Sequence, residues 1–82
     1  MARYFFHLFE NGECTKDDTG MEMDTDDHVR QEAMRVLPEI AIETVSRDGD
    51  HQAFTVLATD ETGRPVYTAT LTFAGLWLNL SE

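Results

Sequence analysis

Only one stretch of this chain repeats its apolar residues at helical spacing, and that narrows the possible folds more than any other feature. From about Asp26 to Ser46, the residues Val29, Ala33, Val36, Leu37, Ile40 and Thr44 fall on one stripe. Glu32, Arg35, Glu39 and Glu43 fall together on the polar side. A lone helix cannot bury its own stripe, so it must lie on a sheet built from the rest of the chain. Asp24, Thr25 and Asp26 are all candidate N-caps, and Asp48-Gly49-Asp50 closes the helix with Gly49 free to take a positive φ. Pro38 lies opposite the stripe, where water can satisfy the carbonyl of Met34 and a gentle bend should result. Met34, Pro38 and Ile42 share that outer side, with Ala41 and Val45 near its edge, so the second half of the helix carries a second apolar strip.

The flanking segments read as strands. Arg3-Tyr4-Phe5-Phe6-His7-Leu8-Phe9 is rich in aromatics that pack well on a pleated surface. Asn11-Gly12 readily takes the two positive φ values of a type I′ turn, which predicts a hairpin into a second strand near Cys14 to Asp17. That loop sets Phe9 opposite Cys14 and His7 opposite Lys16. Residues 17–27 read as an acidic loop. Phe54 to Thr59 and Val66 to Phe73 form a second hairpin across the turn Asp60 to Pro65. An odd-sum register puts Phe54, Val56, Ala58, Tyr67, Ala69 and Leu71 on one face and Thr55, Thr59, Thr68 and Thr70 on the other, with Leu57 and Val66 as outer-face exceptions. The expected architecture is α+β: an antiparallel four-stranded sheet in the order β-β-α-β-β, with one helix packed on one face, as a single domain over 1–82.

At this length a chain buries only about 60 to 65% of the surface it exposes when unfolded, so its stability margin is thin. Even so, 41% hydrophobic and 10% aromatic residues are enough for a core. The net charge of −10 repels phosphate backbones and anionic lipid, which argues against nucleic acid and membrane as partners. No run approaches the roughly 20 apolar residues of a membrane helix. The stretch from Tyr4 to Phe9 is broken by His7 and so is not read as a signal peptide. Cys14 is the only cysteine, which suits a reducing compartment, and we expect a cytoplasmic protein.

The element order, with Arg3-Tyr4-Phe5-Phe6-His7, Asp18-Thr19-Gly20-Met21-Glu22, Glu32-Ala33, Phe54-Thr55-Val56 and Asp60-Glu61-Thr62-Gly63-Arg64, resembles a family of short uncharacterised bacterial proteins, a domain of unknown function. Members commonly begin with a Met-Pro-Arg-Tyr-Phe-Phe-His-like segment. The resemblance spans most of the chain and implies a fold and a bacterial cytosolic setting, but its apolar and turn residues imply no activity. This chain departs from it at Ala2, at Pro38 and in the Leu76-Trp77-Leu78-Asn79-Leu80 segment. A fold-level analogy to small antitoxin-like domains carries no functional weight.

Each candidate site has a structural use for the same residues. His7 sits between Phe5 and Phe9 on one face and reads as a structural histidine, with Asp18 able to reach that face if the second strand extends. Asp17, Asp18, Glu22, Asp24, Asp26 and Asp27 do not match a calcium-loop spacing and read as a solvated, helix-capping stretch. Asp48, Asp50 and His51 read as a turn rather than a metal site. Cys14 has no neighbouring histidine in the sequence to activate it and sits near the acids Glu13 and Asp17, which argues against a nucleophile. No glycine-rich phosphate loop, zinc-spaced set or serine elbow is present, so no catalytic, cofactor-binding or metal-binding residue is assigned.

What remains is apolar surface in excess of what one helix can cover. Strand one is apolar on both faces, the outer strip of the helix adds to this, and the segment after the last strand adds more. The expected function is therefore a non-catalytic interaction module that self-associates, as a dimer, through Phe5, His7, Phe9, Met34, Ile42, Leu76, Trp77 and Leu78. Two alternatives stand beside it: an antitoxin-like or regulatory partner for a basic protein, and a small metal binder or enzyme using His7 or the Asp48 to His51 turn.

Overall fold

The computed structural model describes residues 2–78, and of residues 45–48 the backbone alone. The elements run β1 (Ala2–Glu10), β2 (Glu13–Thr15), β3 (Met21–Met23), α1 (Asp26–Asp48), β4 (His51–Thr59) and β5 (Pro65–Ala74). All pairings are antiparallel, and the sheet has the order β2-β1-β4-β5, with β3 added beside β1. One helix lies on one face of an antiparallel α+β sheet, as the patterning requires. The sheet nevertheless has five strands rather than four, because Met21–Met23, expected to be loop, pairs with Ala2–Tyr4.

Local chemistry sets each boundary. Asn11 at φ 50° and Gly12 at φ 93° make the tight turn between β1 and β2. Thr25 caps α1, its hydroxyl accepting the His28 N–H at 3.3 Å, and Asp26 and Asp27 place negative charge against the positive end of the helix dipole. Pro38 lies inside the helix on its solvent side. Gly49, at φ 107°, lets the chain leave the helix for β4. Asp60 closes the second hairpin, its Oδ1 accepting from the backbone N–H groups of Thr62 and Arg64 and from the Thr62 hydroxyl.

Residues directly opposite each other in an antiparallel pair share a face. Phe6 lies opposite Ala58 and Leu8 opposite Val56, and Phe54, Val56 and Ala58 lie opposite Leu71, Ala69 and Tyr67. These residues form the inner face, and α1 packs Ala33, Leu37 and Ala41 onto it around the fully buried Phe54 and Val56. A second cluster joins Met23, Val29 and Ala58 beneath Tyr4 and Phe6. Ala41, expected near the outer edge of the helix, is thus a core residue. The side chain of Val45, assigned to that same edge, lies outside the described residues.

Candidate interaction surface

The face of the sheet turned away from α1 is set by the β1–β4 register. Phe5 lies opposite Thr59, His7 opposite Leu57 and Phe9 opposite Thr55. Phe5, His7, Phe9 and Leu57 are half-buried, and among the described residues no helix or second sheet covers them. The threonines flank this band, with the hydroxyls of Thr55 and Thr70 2.9 Å apart. Phe9 sits opposite the exposed Cys14, as the two-residue turn dictates.

His7 does not face Lys16, because β2 ends at Thr15. The chain instead bends so that the Asp17 backbone N–H donates to His7 Nδ1 at 3.1 Å, while His7 Nε2 lies 3.3 Å from the hydroxyl of the buried Thr59. A ring whose Nδ1 accepts carries its proton on Nε2, which donates to Thr59. Both nitrogens are occupied by structural partners. The acid that meets this cluster is Asp17 rather than Asp18. Its Oδ2 accepts from Phe6 N–H at 3.1 Å, and its Oδ1 accepts from Thr19 N–H at 3.0 Å and Gly20 N–H at 3.1 Å. Burial pushes this carboxyl up, but the N–H groups of Gly20, Phe6 and Thr19 outweigh it and hold its pKa below the ordinary carboxylate value.

The rest of the acidic stretch is also structurally employed. Arg3 donates to the Thr19 carbonyl at 2.7 Å and pairs with Glu22 at 3.1 Å, which fastens β3 to β1. Among the described residues, no three His, Cys, Asp or Glu side chains converge as metal ligands do. The Asp48 side chain lies outside the described residues, while Asp50 accepts the Gly75 N–H through its backbone carbonyl at 2.6 Å. A depression of about 470 Å³ between the start of α1 and the β4–β5 turn is lined by Tyr4, Asp26, Val29, Arg64 and Tyr67 among others, with no histidine, serine or cysteine.

Unsheltered apolar surface is the dominant feature. Leu76 is 83% exposed, Trp77 87%, Leu78 77%, Ile42 77% and Met34 52%. Leu76, Trp77 and Leu78 therefore do not pack against α1. The radius of gyration, 15.5 Å against about 12 Å for a compact chain of this length, agrees. The residues singled out from sequence occupy three places: the outer sheet face, the outer side of α1, and the segment from Leu76 to Leu78. On β5, Val66 is exposed, in keeping with its expected place on the outer face, and Leu71 and Phe73 are exposed as well. Leu71 does lie on the inner face, opposite Phe54, but near the end of that face where cover is incomplete. Asn79 and Leu80 lie outside the described residues.

A family model described as "Domain of unknown function (DUF6894)" matches residues 3–72. Neither a curated protein nor a solved structure matches the chain.

Proposed function

We propose, from the premise that the chain belongs to this DUF6894 family, that it is a non-catalytic interaction module of the bacterial cytosol whose partner is a second copy of itself. The observation that carries this reading is the joint exposure of Leu76, Trp77 and Leu78, to which the half-buried aromatic face of β1 adds. Fully burying each such side chain is worth about 1.5 to 3 kcal/mol, so a stable monomer would forgo a large fraction of its thin margin by leaving them in water. No helix among the described residues is long and apolar enough to cross a membrane and shelter them there.

Sedimentation velocity between about 1 and 200 μM tests the proposal. The expected result is a species of twice the 9.3 kDa chain mass, weakened at least tenfold by Trp77→Ser with Leu78→Ser. A clean monomer unaltered by those changes overturns it. The net charge of −10 supports one second reading, a basic protein as the physiological partner. Salt separates the two: it screens the repulsion between identical acidic chains and so strengthens self-association, but it weakens binding to a basic protein.

A further inference from the structure

The two edges of the sheet are built differently. On the β1 side, the chain lays down two three-residue strands, β2 and β3, each carrying an acidic residue, Glu13 and Glu22. The gap between them exposes the Phe6 N–H, and there the Asp17 carboxylate caps it. Short strands, charges and a side-chain cap are the devices by which proteins prevent an edge from pairing.

β5, the opposite edge, has none of these. It is ten residues long, and from Pro65 to Leu78 there is not one charged side chain in a chain of net charge −10. Its one proline is the first residue of the strand, where it does not interrupt the ladder. The hydrogen-bond alternation shows which groups face outward. Asn11 N–H bonds the Ala53 carbonyl and Gly75 N–H bonds the Asp50 carbonyl, so the odd-numbered residues of β4 bond β1 and its even-numbered ones bond β5. In β5 it is therefore Tyr67, Ala69, Leu71 and Phe73 that bond β4. The backbone N–H and C=O groups of Thr68, Thr70 and Thr72 point away from the sheet, unpaired among the described residues.

We infer that β5 pairs antiparallel with β5 of a second copy about a two-fold axis at Thr70, joining the two sheets into one. This deepens the self-association proposed above and rests on it. The occupant is a second copy because the edge is complementary to itself. With Thr70 opposite Thr70, Thr68 meets Thr72 on the outer face, and on the inner face Ala69 meets Leu71 and Tyr67 meets Phe73. Threonine pairs and aromatic pairs are favourable cross-strand neighbours. This register pairs all of Val66 to Ala74 without placing a proline or a charge in the ladder. Sliding by two residues one way brings in Pro65 and Arg64, and sliding the other way shortens the ladder and strands Val66. The exposed Val66, Leu71 and Phe73 all lie along the joint.

Cysteine cross-linking with sedimentation tests the geometry. In a Cys14→Ser background, Thr70→Cys should oxidise to a covalent dimer. Opposed residues of a hydrogen-bonded pair have Cα atoms about 5.5 Å apart, within disulfide range. Thr68→Cys alone should not, since its symmetry mate lies about 14 Å along the strand, whereas Thr68→Cys with Thr72→Cys should. In sedimentation, Thr70→Pro, which removes an outward N–H, should raise the dimer Kd at least tenfold, whereas Thr70→Val, which keeps the N–H and loses only the hydroxyl, should not. Circular dichroism checks that each variant is folded, and the cross-link decides the matter if Thr70→Pro is not. A wild-type dimer in which Thr70→Cys fails to cross-link and Thr70→Pro changes nothing overturns the edge pairing and leaves self-association standing. A wild-type monomer at every concentration overturns both.

Discussion

Replacing Asp17 by Asn tests whether one carboxylate holds together the irregular side of the sheet. Its two oxygens take three backbone N–H groups, from Phe6, Thr19 and Gly20, at 3.0 to 3.1 Å. Hydrogen bonds to a charged acceptor contribute about 1.5 to 3 kcal/mol each, though not additively within one group. In the Asn variant, Oδ1 can keep the Thr19 and Gly20 bonds in weaker, neutral form, but an amide NH₂ then faces the Phe6 N–H, donor against donor. One bond is lost and two are weakened, a loss of about 2 kcal/mol at pH 7 for this half-buried site. For a domain of this size that lowers Tm by about 10 °C. The His7 contact should survive, because it is the backbone N–H of Asp17, not its carboxylate, that donates to Nδ1.

The pH dependence supplies a sharper check. The folded-state pKa of Asp17 lies below its ordinary value, so its stabilisation is fully present above about pH 4 and is lost as pH falls through the folded value. The gap in unfolding free energy between wild type and Asp17→Asn should therefore be constant from pH 7 to pH 5 and narrow below pH 4. Urea titrations at fixed low protein concentration measure it and help keep the chain soluble near its pI of about 4.4. A gap under about 0.5 kcal/mol at pH 7, or one that persists unchanged to pH 2.5, would refute the role assigned to the carboxylate.

Pro38→Ala should stabilise the domain by about 1 to 3 kcal/mol, because it restores an N–H to an exposed helix position; an unchanged or lower urea midpoint would contradict this. Gly20→Ala should destabilise by at least about 1 kcal/mol, since Gly20 has φ 76° and an added Cβ would sit 2.9 Å from both Arg3 Cγ and Phe5 Cε2; a melting temperature equal to that of wild type would show that β3 can shift to make room.

Much of the fold was legible because short-range chemistry decides it. Asn11-Gly12 specifies its turn, Thr25 is the cap among the three candidates Asp24, Thr25 and Asp26, and the alternation of apolar residues with threonine fixes which β4 and β5 residues share a face, in keeping with the odd-sum pairs observed. What escaped the sequence depends on long-range contacts. Met21-Glu22-Met23 is too short for a periodic signal, and it becomes a strand because Arg3 reaches Glu22 and the Thr19 carbonyl while Gly20 allows close approach to Arg3 and Phe5. Ala41 is buried because the sheet selects how the helix is rotated, and the helical stripe alone left that rotation open by a residue. Asp17 replaced Asp18 beside His7 because β2 stops at Thr15, a boundary fixed by where the chain must turn back to reach β3.

The surface was harder to read than the core for a related reason. A strand pattern says which residues share a face but not whether anything lies above that face. Phe5 and Phe9 alternate with Phe6 and Leu8 so evenly that either set could have met the helix, and the choice follows from pairing with β4, whose Phe54, Val56 and Ala58 continue the apolar face that Phe6 and Leu8 begin. Among the described residues no helix or second sheet covers the set left over, and Leu76 and Trp77 are exposed. A sheet whose β1 side is closed by short acidic strands and a carboxylate, but whose β5 side runs uncharged into Leu76 and Trp77, leaves its outward backbone groups on one border. That asymmetry exists only once β2, β3 and Asp17 are in place, which is why composition could reveal an excess of apolar surface but not where a partner would attach.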